Sequence, residues 1–143
     1  MPKIAIIYGT QAGSTEMMAV AVEEGVKKAG LDTILKNVTV AKPDDLKDID
    51  GLILGAPTYH ADLFDVMKNF LLRIRDANLK GKVGSAFGSY GWSGEALEKM
   101  ISTLKYFGMK LVEPGLLIKN QPDESGLEEC RRFGEKIAKK IVK

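Results

Sequence analysis

Cysteine, histidine and tryptophan are each present once in 143 residues, as Cys130, His60 and Trp92. A lone cysteine cannot form an internal disulfide or a cysteine metal cluster, which points away from a secreted, disulfide-stapled scaffold. With one histidine, a transition-metal site built from the chain's own ligands is not expected. Long apolar runs are missing too: "IAIIY" and "GLILGA" fall far short of the roughly 20 residues of a membrane span. The N-terminus "MPKIAIIYGT" is too soon interrupted for a secretory signal, so the expected location is the cytoplasm, away from the membrane. An excess of charge is also lacking. The formal net charge is +2, and Lys and Arg are spread along the chain, so no nucleic-acid partner is expected. Repeats, low-complexity tracts and linkers are absent, and the length suits one domain, residues 1–143, around one core.

What is present is a regular alternation. "KIAIIY" (3–8) is a β-branched run that reads as a buried strand ending at Gly9. Ser14 or Thr15 can cap the helix that follows, whose apolar positions Met18, Ala21, Val22, Gly25, Val26 and Ala29 keep helical spacing up to Gly30. "DTILKNVTV" alternates as a second strand, and "KPDDLKDI" is a short helix opened by Pro43. "GLILGA" (51–56) is a third strand, followed by a loop and a helix carrying Val66, Met67, Phe70, Leu71 and Ile74. "KVGSAFG" (82–88) is a fourth, followed by a helix carrying Leu97, Met100, Ile101, Leu104 and Phe107. A fifth strand lies within "MKLVEPGLLI" (109–118), with Pro114-Gly115 as an irregularity. The last helix lines up Leu127, Cys130, Phe133, Ile137 and Ile141, which makes Cys130 a core thiol. Five strands alternating with five helices predict an α/β protein with a doubly wound parallel sheet covered on both faces.

Such sheets bind ligands beyond the carboxyl ends of their strands. The segments after strands one, three and four share that edge: "TQAGST" (10–15), "APTYHAD" (56–62) and "GSYGWSG" (88–94). The first brings the hydroxyls of Thr10, Ser14 and Thr15 and a glycine to a helix start, which makes an anion site. It lacks the Gly-Lys-Ser/Thr of a triphosphate loop and the spacing of a dinucleotide fingerprint, so a terminal phosphate monoester fits. A capped helix after a tight turn is the plain alternative. The second loop supplies Pro57, Thr58 and Tyr59; the third supplies Tyr90 and Trp92. Burying an aromatic of that size contributes about 1.5–3 kcal/mol, with roughly 0.5–1.5 more for stacking, which a loop with no ligand would forgo. Two aromatic loops beside a phosphate cradle describe a slot for a flat ring. The other reading folds Trp92 back over the sheet as a lid.

Taken together, "YGTQAGST", "GAPTYHAD" and "AFGSYGWSGEA" resemble the three FMN-binding loops of the flavodoxin family. The last is most similar to the flavodoxin-like domain of flavodiiron (A-type) proteins. The resemblance implies five parallel strands in the order 2-1-3-4-5. The short-chain type is implied too, since "MKLVEPGLLI" leaves no room for the insertion of long-chain members. It implies that Thr10, Gln11, Ala12, Gly13, Ser14 and Thr15 hold the FMN phosphate. Pro57, Thr58, Tyr59, His60 and Asp62 would border one side of the ring, and Ser89, Tyr90, Gly91, Trp92 and Gly94 the other.

The function this implies is electron transfer between redox partners of flavodiiron, rubredoxin or ferredoxin type, by a monomer or weak homodimer in which no residue need be catalytic. An FMN-dependent NAD(P)H or quinone reductase is the alternative, though no separate nucleotide motif supports it. Flavodiiron proteins carry a metal-binding domain before this one, and with one histidine this chain does not replace it, so oxygen or nitric oxide reduction by the chain alone is not expected. A phospho-receiver domain of the same topology would need acids where Tyr8-Gly9 and Gly55-Ala56 stand. His60 either couples proton uptake to reduction of a neighbouring flavin or faces solvent without a role. Leu63 and Phe64 either form a partner surface or pack under the second loop.

Overall fold

In a computed structural model of the chain, the described residues are 2–10, 13–59, 62–90 and 94–141, with Tyr59 described for its backbone only. The elements in chain order are β1 (Lys3–Tyr8), α1 (Ser14–Lys28), β2 (Asp32–Asn37), a 3-10 turn (Pro43–Leu46), β3 (Gly51–Tyr59), β4 (Asp62–Leu63), α2 (Asp65–Arg73), β5 (Val83–Tyr90), α3 (Glu95–Tyr106), β6 (Lys110–Leu111), β7 (Leu116–Lys119) and α4 (Glu124–Ile141). The sheet runs β2-β1-β3-β5, and β6 and β7 both pair in parallel with β5 as two halves of an edge strand. Counted that way, the order is the 2-1-3-4-5 expected.

Alternation along each strand sends side chains to both faces, and both faces are covered, which is why these strands read as continuous apolar runs. Ala5, Ile7, Leu52, Leu54 and Ala86 join Met67, Phe70, Met100 and Leu104 of α2 and α3 on one side. Ile4, Ile6, Ile53 and Phe87 join Met18, Val22, Val26, Cys130, Phe133 and Ile137 of α1 and α4 on the other. The α1–α4 contact is unusually close. A Cβ on Gly25 would lie 1.9 Å from the Arg131 carbonyl oxygen, and one on Gly134 would lie 2.1 Å from that of Val22. On its exposed rim, Arg131 pairs with Glu24 at 3.0 Å and with Glu124 and Glu128 at 3.1 Å.

The edge strand breaks where Pro114 and Gly115 predict. Pro114 has no N–H for the ladder, its peptide bond with Glu113 is cis, and Gly115 takes φ 81°. A Cβ at Gly115 would sit 2.7 Å from the Ala86 carbonyl oxygen, so glycine keeps the broken strand against β5.

Elsewhere the sequence reading needs correction. Among the described residues the helices are four, the expected short helix at Pro43 being a single 3-10 turn. Strand β2 stops at Asn37, whose side chain accepts hydrogen bonds from the Thr39 N–H and hydroxyl, both at 2.9 Å, and turns the chain. Helix α1 is not capped by Ser14 or Thr15: the N-cap is Gly13 at φ 90°. Val66, expected on the core stripe of α2, is 41% exposed.

Candidate functional site

Strands β1, β3 and β5 end at one edge of the sheet, but not at one level. Tyr8, the last residue of β1, pairs with Gly55, whereas β3 continues to Tyr59 and β5 to Tyr90, with Pro57 opposite Ser89. The segments read as loops two and three therefore begin as strand. Their extensions stand above the end of β1, at the point where strand order reverses between β1 and β3, the usual ligand position in such sheets.

The floor of this step is the start of α1. Glycine at the N-cap brings no side chain to the first-turn N–H groups, which have no intrahelical partner, and a Cβ built on Gly13 meets nothing within 4 Å. The Thr10 Oγ1 accepts the Gly13 N–H at 2.9 Å and keeps its own hydrogen to donate. Glu16, the one acid of that first turn, accepts a hydrogen bond from the Tyr8 hydroxyl at 2.9 Å. Burial first, and Glu16 second, hold the Tyr8 hydroxyl above its ordinary pKa, so it remains a donor. What is left is a set of N–H and hydroxyl donors with open space beside Gly13, at the positive end of a helix dipole, which suits a phosphate.

The walls are tied to the helices beneath them. Residues Thr58 and Tyr59 pair with Leu63 and Asp62 in a short antiparallel ladder that continues β3. The Thr58 hydroxyl accepts the Ala96 N–H at 3.1 Å, so a strand residue caps the start of α3. Asp62 accepts the Leu63 N–H at 2.7 Å and pairs with Lys68 of α2 and, at 3.0 Å, with Lys99 of α3. Hydrogen bonds from Lys68 and then Lys99 hold its carboxyl far below the usual carboxylate range. Leu63 is buried, and the Phe64 ring lies where a Gly9 Cβ would be, 1.9 Å from it, so these two residues pack beneath the loops. Ser89 is buried, and its hydroxyl lies 2.8 Å from that of Thr15. The Tyr90 carbonyl accepts the Asn120 N–H at 2.6 Å, and the space beside Gly94 is filled by Leu117 of β7.

Against known proteins, the flavodoxin family profile matches residues 6–134. The chain belongs to the flavodoxin family. It is 32% identical over 155 aligned residues to the flavodoxin of Clostridium saccharobutylicum, covering 97% of each chain. It is 34% identical over 140 residues to the type A flavoprotein of Rhodobacter capsulatus, covering 94% of this chain and 32% of that one. This flavodoxin therefore spans about a third of the length of such relatives. Its structure superposes on a flavodoxin from the domain Archaea with a TM-score of 0.95 at 32% identity, covering 99% of both chains.

Flavodoxins bind FMN and carry electrons with it, and FMN is the cofactor of this chain. The residues present fit the group: the start of α1 at Gly13 offers donors to a phosphate with open space beside it, and β3 and β5 rise beside it. Thr10, Gly13, Ser14, Thr15, Pro57, Thr58, Asp62, Ser89, Tyr90 and Gly94 all fall on this edge, as does the backbone of Tyr59. Gln11, Ala12, His60, Gly91 and Trp92 lie outside the described residues. Among the described residues no cluster of His, Cys, Asp or Glu is placed to hold a metal ion, and no helix is long and apolar enough to cross a membrane. Sequence reasoning missed Glu16, Lys68 and Lys99. An acid in a helix's first turn is a readable signal, but no local pattern ties Asp62 to lysines on two later helices.

Proposed function

We propose that this flavodoxin passes electrons between other redox proteins, and that the three loop segments hold its FMN as follows. The first-turn N–H groups of α1, with the Thr10, Ser14 and Thr15 hydroxyls and the Gln11-Ala12-Gly13 backbone, hold the phosphate. Pro57, Thr58, Tyr59, His60 and Asp62 border the ring on one side; Tyr90, Gly91, Trp92 and Gly94, with the backbone of Ser89, border it on the other. Bound FMN supplies the redox chemistry, while the chain binds and orients it and sets its electrostatic surroundings. The observation that carries this reading is the start of α1, where Gly13 is the N-cap, no side chain caps the helix and open space lies beside it.

The charge at the rim is set by the chain itself. Lys68 and Lys99 converge on Asp62 beside the second loop, with Asp65 also acting on Lys68, and each lysine favours added negative charge on a neighbouring group. Flavodiiron-type, rubredoxin-type and ferredoxin-type proteins are the partners to test first, the relatives including a flavo-diiron protein and a rubredoxin oxygen:oxidoreductase. The purified protein is expected to be yellow and to bind added FMN one to one; a colourless protein with no affinity for FMN refutes the reading. Anaerobic mixing with NAD(P)H is expected to leave the colour in place, and fast bleaching would make the chain a reductase instead.

A further inference from the structure

The hydrogen bond between the Thr15 and Ser89 hydroxyls is buried and joins positions 74 apart. Thr15 lies in the first turn of α1 and Ser89 near the end of β5, with 1% and 5% exposure. The bond thus ties the phosphate end of the site to the strand that carries the third loop. The Ser89 hydroxyl is engaged with the first turn of the helix.

We propose that Ser89 is a positioning residue for phosphate binding, acting through Thr15; this rests on the FMN reading above. Each hydroxyl has a single hydrogen. If Thr15 gave its hydrogen to Ser89, only lone pairs would be left to face an anion at the helix start. When Ser89 donates to the Thr15 Oγ1, the Thr15 hydrogen is released to point at the anion, and the two bonds polarise each other in the same sense. A negative charge at the first turn selects this direction. Burial makes a partner obligatory for each hydroxyl, because a buried hydroxyl without one is costly. The strand end fixes Ser89 in turn: its backbone is in register with Pro57 of β3 and Ile118 of β7. Ser89 therefore sets both the rotamer and the donor direction of Thr15 without touching the phosphate.

The test compares FMN with riboflavin, which has the same ring and no phosphate. Dissociation constants are measured on apo-protein for the wild type, Ser89→Ala, Thr15→Val and the double variant. Ser85→Ala serves as a control, since Ser85 is a second buried serine of β5 that donates to the Val112 carbonyl at 2.6 Å. Ser89→Ala is expected to weaken FMN by roughly fivefold, as for loss of a neutral hydrogen bond of about 1 kcal/mol that fixes and polarises the Thr15 hydroxyl, and to leave riboflavin within about twofold. The double variant is expected to bind FMN no worse than Thr15→Val, and Ser85→Ala to keep the wild-type ratio of the two affinities. Equal losses for FMN and riboflavin would place Ser89 at the ring and overturn the proposal. An unchanged ratio in Ser89→Ala, or additive losses in the double variant, would overturn it as well. A wild type with no affinity for FMN would instead sink the FMN reading and this proposal with it. If Ser89→Ala does not fold, Ser89→Cys keeps the shape with a weaker donor and carries the same comparison.

Discussion

Replacing Gly25 by alanine tests the closeness of α1 and α4 directly. The new methyl would sit 1.9 Å from the Arg131 carbonyl oxygen and 3.0 Å from the Glu135 nitrogen. Backbone cannot rotate away as a side chain can, so the helices must part by about 1 Å to restore van der Waals distance. Overpacking of a well-filled interior costs about 1–3 kcal/mol, and an immovable carbonyl places this case at the upper end. Alanine returns about 1 kcal/mol through its better helix propensity. The net expectation is a loss of about 2 kcal/mol, which lowers the urea midpoint by roughly 1 M in a domain of this size. Circular dichroism during urea titration of the FMN-free protein measures it. Gly134→Ala makes the reciprocal clash, 2.1 Å from the Val22 oxygen. Because one separation of the helices relieves both, the double variant should lose less than the two singles together. An unchanged or raised midpoint in Gly25→Ala would refute the close packing, and strict additivity would refute the shared cause.

Lys99→Gln removes one cation from the exposed cluster around Asp62 and is expected to make the bound FMN harder to reduce. Electrochemical titration should show a more negative midpoint potential whose difference from wild type shrinks with added salt; a salt-independent or positive shift contradicts the rim-charge argument. Burial pushes the Cys130 thiol up to about 12, against about 8.5 for an unfolded chain. A raised acid keeps its proton in the folded state, so this contribution to stability is complete below about pH 8.5 and is lost as the pH rises toward 12. Thiol titration with a disulfide reagent at pH 8 should accordingly modify native protein only as fast as it unfolds, and prompt modification would show that Cys130 is accessible.

Much of the fold is legible because the strands are buried on both faces, so "KIAIIY" and "GLILGA" announce themselves without reference to any partner. Pro114-Gly115 likewise signals its own break. The lengths of β3 and β5 are less visible: Pro57, Gly88 and Ser89 are loop-forming by local chemistry, and become strand because Ala56 and Pro57 face Gly88 and Ser89 in register. The start of α1 misleads for a similar reason. Ser14 and Thr15 look like caps from their neighbours alone, but Gly13 takes the cap, and Thr15 turns to a serine far along the chain. The order of the three loop segments was readable. The bonds that hold them, such as Thr58 to Ala96 and Asp62 to Lys99, join residues that only the fold brings together.

The divided edge strand bears on how this protein behaves when crowded with copies of itself. An open sheet has two free margins, and a long flat one invites a neighbouring chain to add a strand and begin aggregation. Here one margin is cut into pieces of two and four residues by the Pro114 turn. The other, β2, carries Lys36 held by Asp45 at 2.8 Å. The divided margin thus presents no long run of ladder groups to a second molecule, and the other sets a charged lysine on its strand, so the sheet is less apt to serve as a template for its own polymerisation.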